Sequence, residues 1–223
     1  MTTTAAILSP SRLYQLRKRT VWSLVAGVAF GSIGYIAAGT VGTIVARDLA
    51  GTTAWSGAPG AAVILGAAAA STLLARLMAA RGRRAGLTLG YAVGVAGAFV
   101  ASVAVVARSM PLLLVGMVLI GFANSANQLS RYTAADLYPP ARRASAIGIV
   151  VWGATVGAVV GPNLVGWAGD LGQRFGLPAL AGIYLVPVVF VGVAAILSYA
   201  MLRPDPYTLA DRVGESDAVG QGE

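Results

Sequence analysis

The side chains of this chain best able to do chemistry are amides, hydroxyls, aromatic rings and one guanidinium, set at helical spacing. Asn124, Asn127, Gln128 and Arg131 follow i, i+3, i+4, i+7, which puts all four on one face of a helix. Ser32 and Tyr35 stand one turn apart, and so do Trp152 and Thr155. Such groups bind rather than react: amides and hydroxyls exchange hydrogen bonds, rings stack, and Arg pairs with an anion. A substrate-binding role for these eight residues is one alternative. Interhelical hydrogen bonding and packing, with Arg131 snorkelling to an interface, is the other.

Composition argues against bond-making chemistry. There is no Cys and no His, so thiol nucleophiles, disulfides, imidazole acid–base steps and the commonest metal ligands are all missing. The eight acidic residues (Asp48, Asp136, Asp170, Asp205, Asp211, Glu215, Asp217 and Glu223) fall outside or at the ends of the apolar runs, leaving no intramembrane carboxylate pair. An enzyme is not expected, nor is a cofactor or a metal.

The elements that must position the polar residues are long apolar segments. Six runs lack any charge: Thr20–Ala46, Leu49–Ala75, Ala85–Ala107, Ser109–Ser130, Ala144–Gly169 and Phe175–Leu202. A hydrocarbon core of roughly 30 Å takes about 20 apolar residues of helix, and backbone groups in lipid must be satisfied internally. Each run therefore predicts a transmembrane helix in an all-α, six-span bundle over residues 20–202. Residues 1–19 are expected to be an N-terminal tail and 203–223 a polar C-terminal one, of which 207–223 have a disordered, linker-like composition. The hydrophobic fraction of 57% agrees.

The sixteen basic residues are dealt out by side. Thirteen lie in the N-terminal tail, the second loop, the fourth loop region and the C-terminal tail, while only Arg47, Arg108 and Arg174 lie in the other three loops. That asymmetry predicts cytoplasmic termini, and it explains the high pI without nucleic-acid binding. Fifteen Arg against one Lys, with heavy Ala and Gly use, points to a GC-rich bacterial genome and hence to a bacterial inner membrane.

Small residues four apart (Gly27/Gly31, Gly90/Gly94, Gly157/Gly161) predict close helix contacts. Pro59, Pro162 and Pro187 are expected to bend their spans, and Tyr184 and Tyr199, near span ends, to sit in aromatic belts. Ala46-Arg47-Asp48-Leu49 after the first span echoes Ala134-Ala135-Asp136-Leu137 after the fourth, suggesting three helices repeated with inverted topology.

Two motifs carry a family resemblance. Gly157-Ala-Val-Val-Gly161-Pro162-Asn-Leu-Val-Gly166 in the fifth span resembles the G-x-x-x-G-P-x-x-x-G motif on the fifth helix of major facilitator superfamily exporters. Gly82-Arg83-Arg84, between the second and third spans, resembles the end of that superfamily's cytoplasmic loop motif. Ala79 stands where the motif has the Asp of its latch, which leaves Gly82, Arg83 and Arg84 as the matched gating positions. Met117 stands where the fourth helix often has an Arg, so that Arg's proton-relay role does not carry over.

The resemblance, over about residues 18–206, is to the N-terminal half of such a transporter. It implies alternating access against a second six-helix bundle around a midplane site, export of a drug or small metabolite, and proton coupling as an antiporter. Expected partners are the lipid bilayer, a small-molecule substrate and that second bundle, whether a second copy or a separate chain. Three readings stay open: a half-transporter that pairs, a truncated product inactive alone, and a six-helix membrane protein with a structural or partner-binding role.

Overall fold

A computed structural model describes residues 10–203 together with 205, 206 and 208. Seven α-helices follow in order among the described residues: α1 (Pro10–Ala50), α2 (Ala58–Arg81), α3 (Arg83–Val106), α4 (Met110–Asp136), α5 (Arg143–Arg174), α6 (Ala179–Ile183) and α7 (Leu185–Met201). Among the described residues there is no strand, and six helical segments are long and apolar enough to cross a membrane, α6 and α7 together making the sixth. The fold is the expected all-α bundle. Residues 1–9 of the predicted N-terminal tail, and most of the tail beyond Arg203, lie outside the described residues.

Local chemistry sets the helix ends. Ser109 accepts a hydrogen bond from the Leu112 amide and Pro111 follows in the first turn, so α4 starts with a side-chain cap and a residue that wastes no N–H. Gly82 separates α2 from α3 at φ +88°, a conformation that a side chain would strain. Helix α1 begins well before the first apolar run. Its 41 residues reach about 60 Å at the helical rise, twice the hydrocarbon thickness, so its first turns project beyond the membrane.

The prolines act differently from one another. Pro59 sits in the first turn of α2 and bends nothing. Pro162 lies within α5, which runs unbroken from Arg143 to Arg174. Pro187 removes the N–H that would bond the Ile183 carbonyl, and there the sixth span divides at Tyr184. Tyr184 is not in an aromatic belt. Its ring is buried in the core, with its hydroxyl 3.8 Å from Met117 Sδ.

Helix pairing supports the internal repeat. Helix α1 packs on α5 as α4 packs on α2; α3 packs on α4 as α7 packs on α1. The pairs α1·α4 and α3·α7 map onto themselves when the first three spans are exchanged for the last three. A three-plus-three arrangement requires this pattern. Helices α1 and α4 occupy the centre. One core cluster is built around Val28, Leu87, Tyr91, Ala126 and Val150, and a second around Val41, Ala101, Met117, Ile120 and Tyr184.

Candidate functional site

Helix α4 does not present its polar residues as one binding face. Asn127 is 2% exposed and sits in a hydrogen-bonded chain: Tyr91 Oη donates to Asn127 Oδ1 at 2.7 Å, and Asn127 Nδ2 donates to Ser32 Oγ at 3.1 Å. Helices α3, α4 and α1 are thereby tied through one amide. Gly31 makes room for it, because a Cβ there would collide with the Tyr91 ring. Polar groups with no water to turn to are held in such closed sets.

The remaining candidates stay near the surface. Gln128 is exposed, Asn124 is half-buried, and Arg131 is half-buried with its Nε shielded and unpartnered among the described residues. Tyr35, half-buried on α1, lies within electrostatic reach of Arg131. Trp152 is 74% exposed. Thr155 is exposed too, its hydroxyl turned back onto the Val151 carbonyl at 3.4 Å. The eight residues divide into a buried brace (Ser32, Asn127) and an accessible group.

Exposure sorts the helices by chemistry. Along α3 the exposed row is Leu89, Ala92, Ala96, Phe99, Val103 and Val106, wholly apolar as a lipid contact should be. Exposed span residues of α7 are apolar as well until Tyr199. Exposed hydroxyls and amides fall instead on α1 (Thr40, Thr43), α2 (Ser71, Thr72), α4 (Gln128) and α5 (Thr155, Asn163). Four helices carry accessible polar groups, and two face outward as hydrocarbon.

The glycine motif of α5 works as a contact in two of its three glycines. A Cβ on Gly157 would strike Ser32, and one on Gly161 would come within 2.9 Å of the Ile33 carbonyl, so α1 and α5 meet backbone to backbone. Nothing lies within 4 Å of a Cβ at Gly166. The symmetry-related crossing of α2 and α4 uses Gly66 against the Val118 carbonyl and Gly121 against Val63 and Ala67.

At the basic end, carboxylates from distant positions serve the Gly82-Arg83-Arg84 loop. Arg83 pairs with Asp136 of α4 at 2.8 Å. Asp205 accepts from the Arg83 and Arg84 amides at 3.1 and 3.0 Å, capping α3, which has no side-chain cap of its own. Gly82 is needed twice here, since a Cβ would also collide with the Asp205 carboxylate. Arg84 donates to the Tyr199 carbonyl at 3.0 Å and lies over the Tyr199 ring at 4.7 Å. Sequence reasoning singled out the loop but not Asp136, Asp205 or Tyr91 as its partners and the brace. Among the described residues no cluster of three metal-ligating side chains occurs.

Six apolar spans in a three-plus-three pairing, with polar groups gathered on four of them, define the half-bundle of a membrane transporter fold. Residues 15–220 match the family model of the Major Facilitator Superfamily, and the chain belongs to that family. It is 35% identical over 204 residues to the uncharacterized MFS-type transporter YdeG of Bacillus subtilis (strain 168), covering 92% of this chain and 47% of that protein. YddS of the same organism, also an uncharacterized MFS-type transporter, is 34% identical over 209 residues, 94% of this chain and 48% of its own. The riboflavin transporter RfnT of Brucella anthropi is 30% identical over 178 residues, 77% of this chain and 44% of that protein. The chain spans about half the length of the curated relatives it matches.

Proposed function

We propose that this chain forms one wall of a small-molecule transporter and works by alternating access against a second six-helix bundle. The observation that carries the reading is the segregation of exposed polar groups to α1, α2, α4 and α5. Gln128 and Thr72, with no side-chain hydrogen bond among the described residues, are costly facing lipid and stable facing a watery path or a partner. Thr40, Thr43, Ser71, Thr155 and Asn163 also bond carbonyls of their own helices. The partner bundle, a second copy or a separate chain, covers that surface, and the substrate binds between the two.

Gln128, Arg131 and Asn124 of α4, Tyr35 of α1, and Trp152 and Thr155 of α5 are the substrate-facing candidates. Ser32 and Asn127 position α4 rather than touch substrate. The substrate is small, with acceptor atoms for Gln128 and Arg131 and a ring for Trp152. Kinship with a riboflavin transporter is in keeping with that chemistry. Export of a drug or small metabolite is the direction that the α5 motif supports. Proton coupling as an antiporter draws on a carboxylate in the second bundle, because the six charge-free runs here carry none and Asp48, Asp136 and Asp170 stand at span ends. Gly82, Arg83 and Arg84 gate the basic end, which lies in the cytoplasm of a bacterial inner membrane.

The absence of cysteine gives a clean test. Single substitutions Gln128→Cys and Thr155→Cys should crosslink across the partner bundle in membranes, whereas Ala92→Cys on the lipid row should not. Crosslinking confined to Ala92→Cys would place the partner on the opposite side and end this reading.

A further inference from the structure

The basic ends of α2, α3 and α7 enclose a groove of about 450 Å³, lined by Leu77, Arg81, Arg84, Thr88, Leu89 and Tyr199. Its chemistry is graded. Toward the basic end it carries Arg81 and Arg84, with Arg203 against the same Tyr199 ring at 5.2 Å. Asp205 is the single carboxylate in the lining, set against Arg81 and Arg84, so among the described residues the rim carries a net positive charge. Toward mid-membrane the lining is apolar. There Leu89 and Ala92 begin the exposed row that continues through Ala96 and Phe99. The groove therefore opens sideways into lipid, not onto the polar surface assigned to the second bundle.

Two groups in the groove have unused capacity. The Thr88 hydroxyl is shielded from solvent and has no hydrogen-bond partner among the described residues. Arg84 spends Nε on the Tyr199 carbonyl with its Cζ 4.7 Å from the ring centroid, and its two terminal nitrogens make no hydrogen bond among the described residues. A guanidinium anchored through Nε can turn its terminal N–H groups to a phosphate oxygen pair.

We propose that this groove is a binding site for an anionic phospholipid. The phosphate rests on Arg81 and Arg84, a glycerol or ester oxygen accepts from Thr88 Oγ1, and an acyl chain follows Leu89 and Ala92 along α3. Basic pockets between spans at the cytoplasmic surface recognise anionic headgroups in this way, with electrostatic attraction and apolar contact acting together. A zwitterionic headgroup brings its own cation to a positive rim, and a free phosphate ester has no chain for the apolar half. The inference needs only the bundle and its bilayer; it is independent of the second bundle.

The test is native mass spectrometry of the full chain in detergent. Phosphatidylglycerol and phosphatidylcholine of equal chain length, and sn-glycerol 3-phosphate, are titrated separately. Phosphatidylglycerol should be retained at the lowest concentration and glycerol phosphate not at all. Arg81→Ala should weaken phosphatidylglycerol retention about fivefold, the loss expected for one basic contact. Ala92→Trp, which fills the apolar half and leaves every charge in place, should weaken it at least as much. Arg142→Ala, an exposed Arg of the α4–α5 connection, should change nothing, and melting curves identify any variant that has lost its fold. Equal retention of the two lipids, retention of glycerol phosphate, or the same loss in Arg142→Ala as in Arg81→Ala would each overturn the proposal. So would unchanged retention in a folded Ala92→Trp variant.

Discussion

Tyr91 and Asn127 are joined by a 2.7 Å hydrogen bond that lies wholly inside the bundle, with Tyr91 0% and Asn127 2% exposed. Removing either partner strands a polar group where water cannot replace it. Tyr91→Phe and Asn127→Leu should each destabilise the chain in detergent, and a double-mutant cycle should give a coupling of about 0.5–2 kcal/mol. Additive effects would mean that the two side chains act separately.

The glycine motif of α5 predicts unequal effects from equal substitutions. Gly157→Leu, and to a lesser degree Gly161→Leu, should lower unfolding stability by about 1–3 kcal/mol through overpacking against α1. Gly166→Leu, which meets open space, should stay within about 0.5 kcal/mol of the parent. Equal losses at all three positions would show that backbone contact with α1 is not what the glycines provide.

Asp205 stabilises α3 from far along the chain. Asp205→Ala should cost about 1 kcal/mol, the usual worth of a helix N-cap, and hydrogen exchange should quicken first at the Arg83 and Arg84 amides. Asp205→Asn retains an acceptor oxygen and should recover part of the protection. Unchanged exchange at those two amides would contradict the capping role.

Thirteen basic residues in the two tails and the second and fourth loops, against three in the other loops, predict orientation. Reporter fusions after Glu223 and within the first loop near Gly51 should fall on opposite sides, with the Glu223 fusion cytoplasmic. Same-side labelling would contradict six spans.

Much of the fold was legible because lipid leaves few choices: a charge-free run of that length has to be a helix, and six of them appear where the hydropathy places them. The extension of α1 back to Pro10 was not legible. Arg17, Lys18 and Arg19 end the apolar run, yet no breaker stands between Ser11 and Thr20, so the helix continues as a polar one. Helical spacing put Asn127 on a face with Gln128 and Arg131, but it could not say how far into the bundle that face turns. Tyr91 gave no signal, because its partner lies 36 residues away and its own neighbours are Gly, Ala and Val. Asp205 was invisible as a cap for the same reason, with 121 residues separating it from Arg84. Contacts between residues this distant in sequence are set by how the helices pair, which local pattern does not encode.

The central claim, that this chain transports only when its polar surface meets a second six-helix bundle, is tested most directly by substrate flux in liposomes. Purified chain is reconstituted with crosslinking to report its oligomeric state, and uptake of candidate small molecules, riboflavin among them, is followed with and without a proton gradient. The account predicts no flux from monomers, and flux from a paired form that falls at least tenfold in Gln128→Leu while the lipid-row variant Ala96→Val keeps it. Substrate-dependent flux from a demonstrably monomeric chain would contradict it.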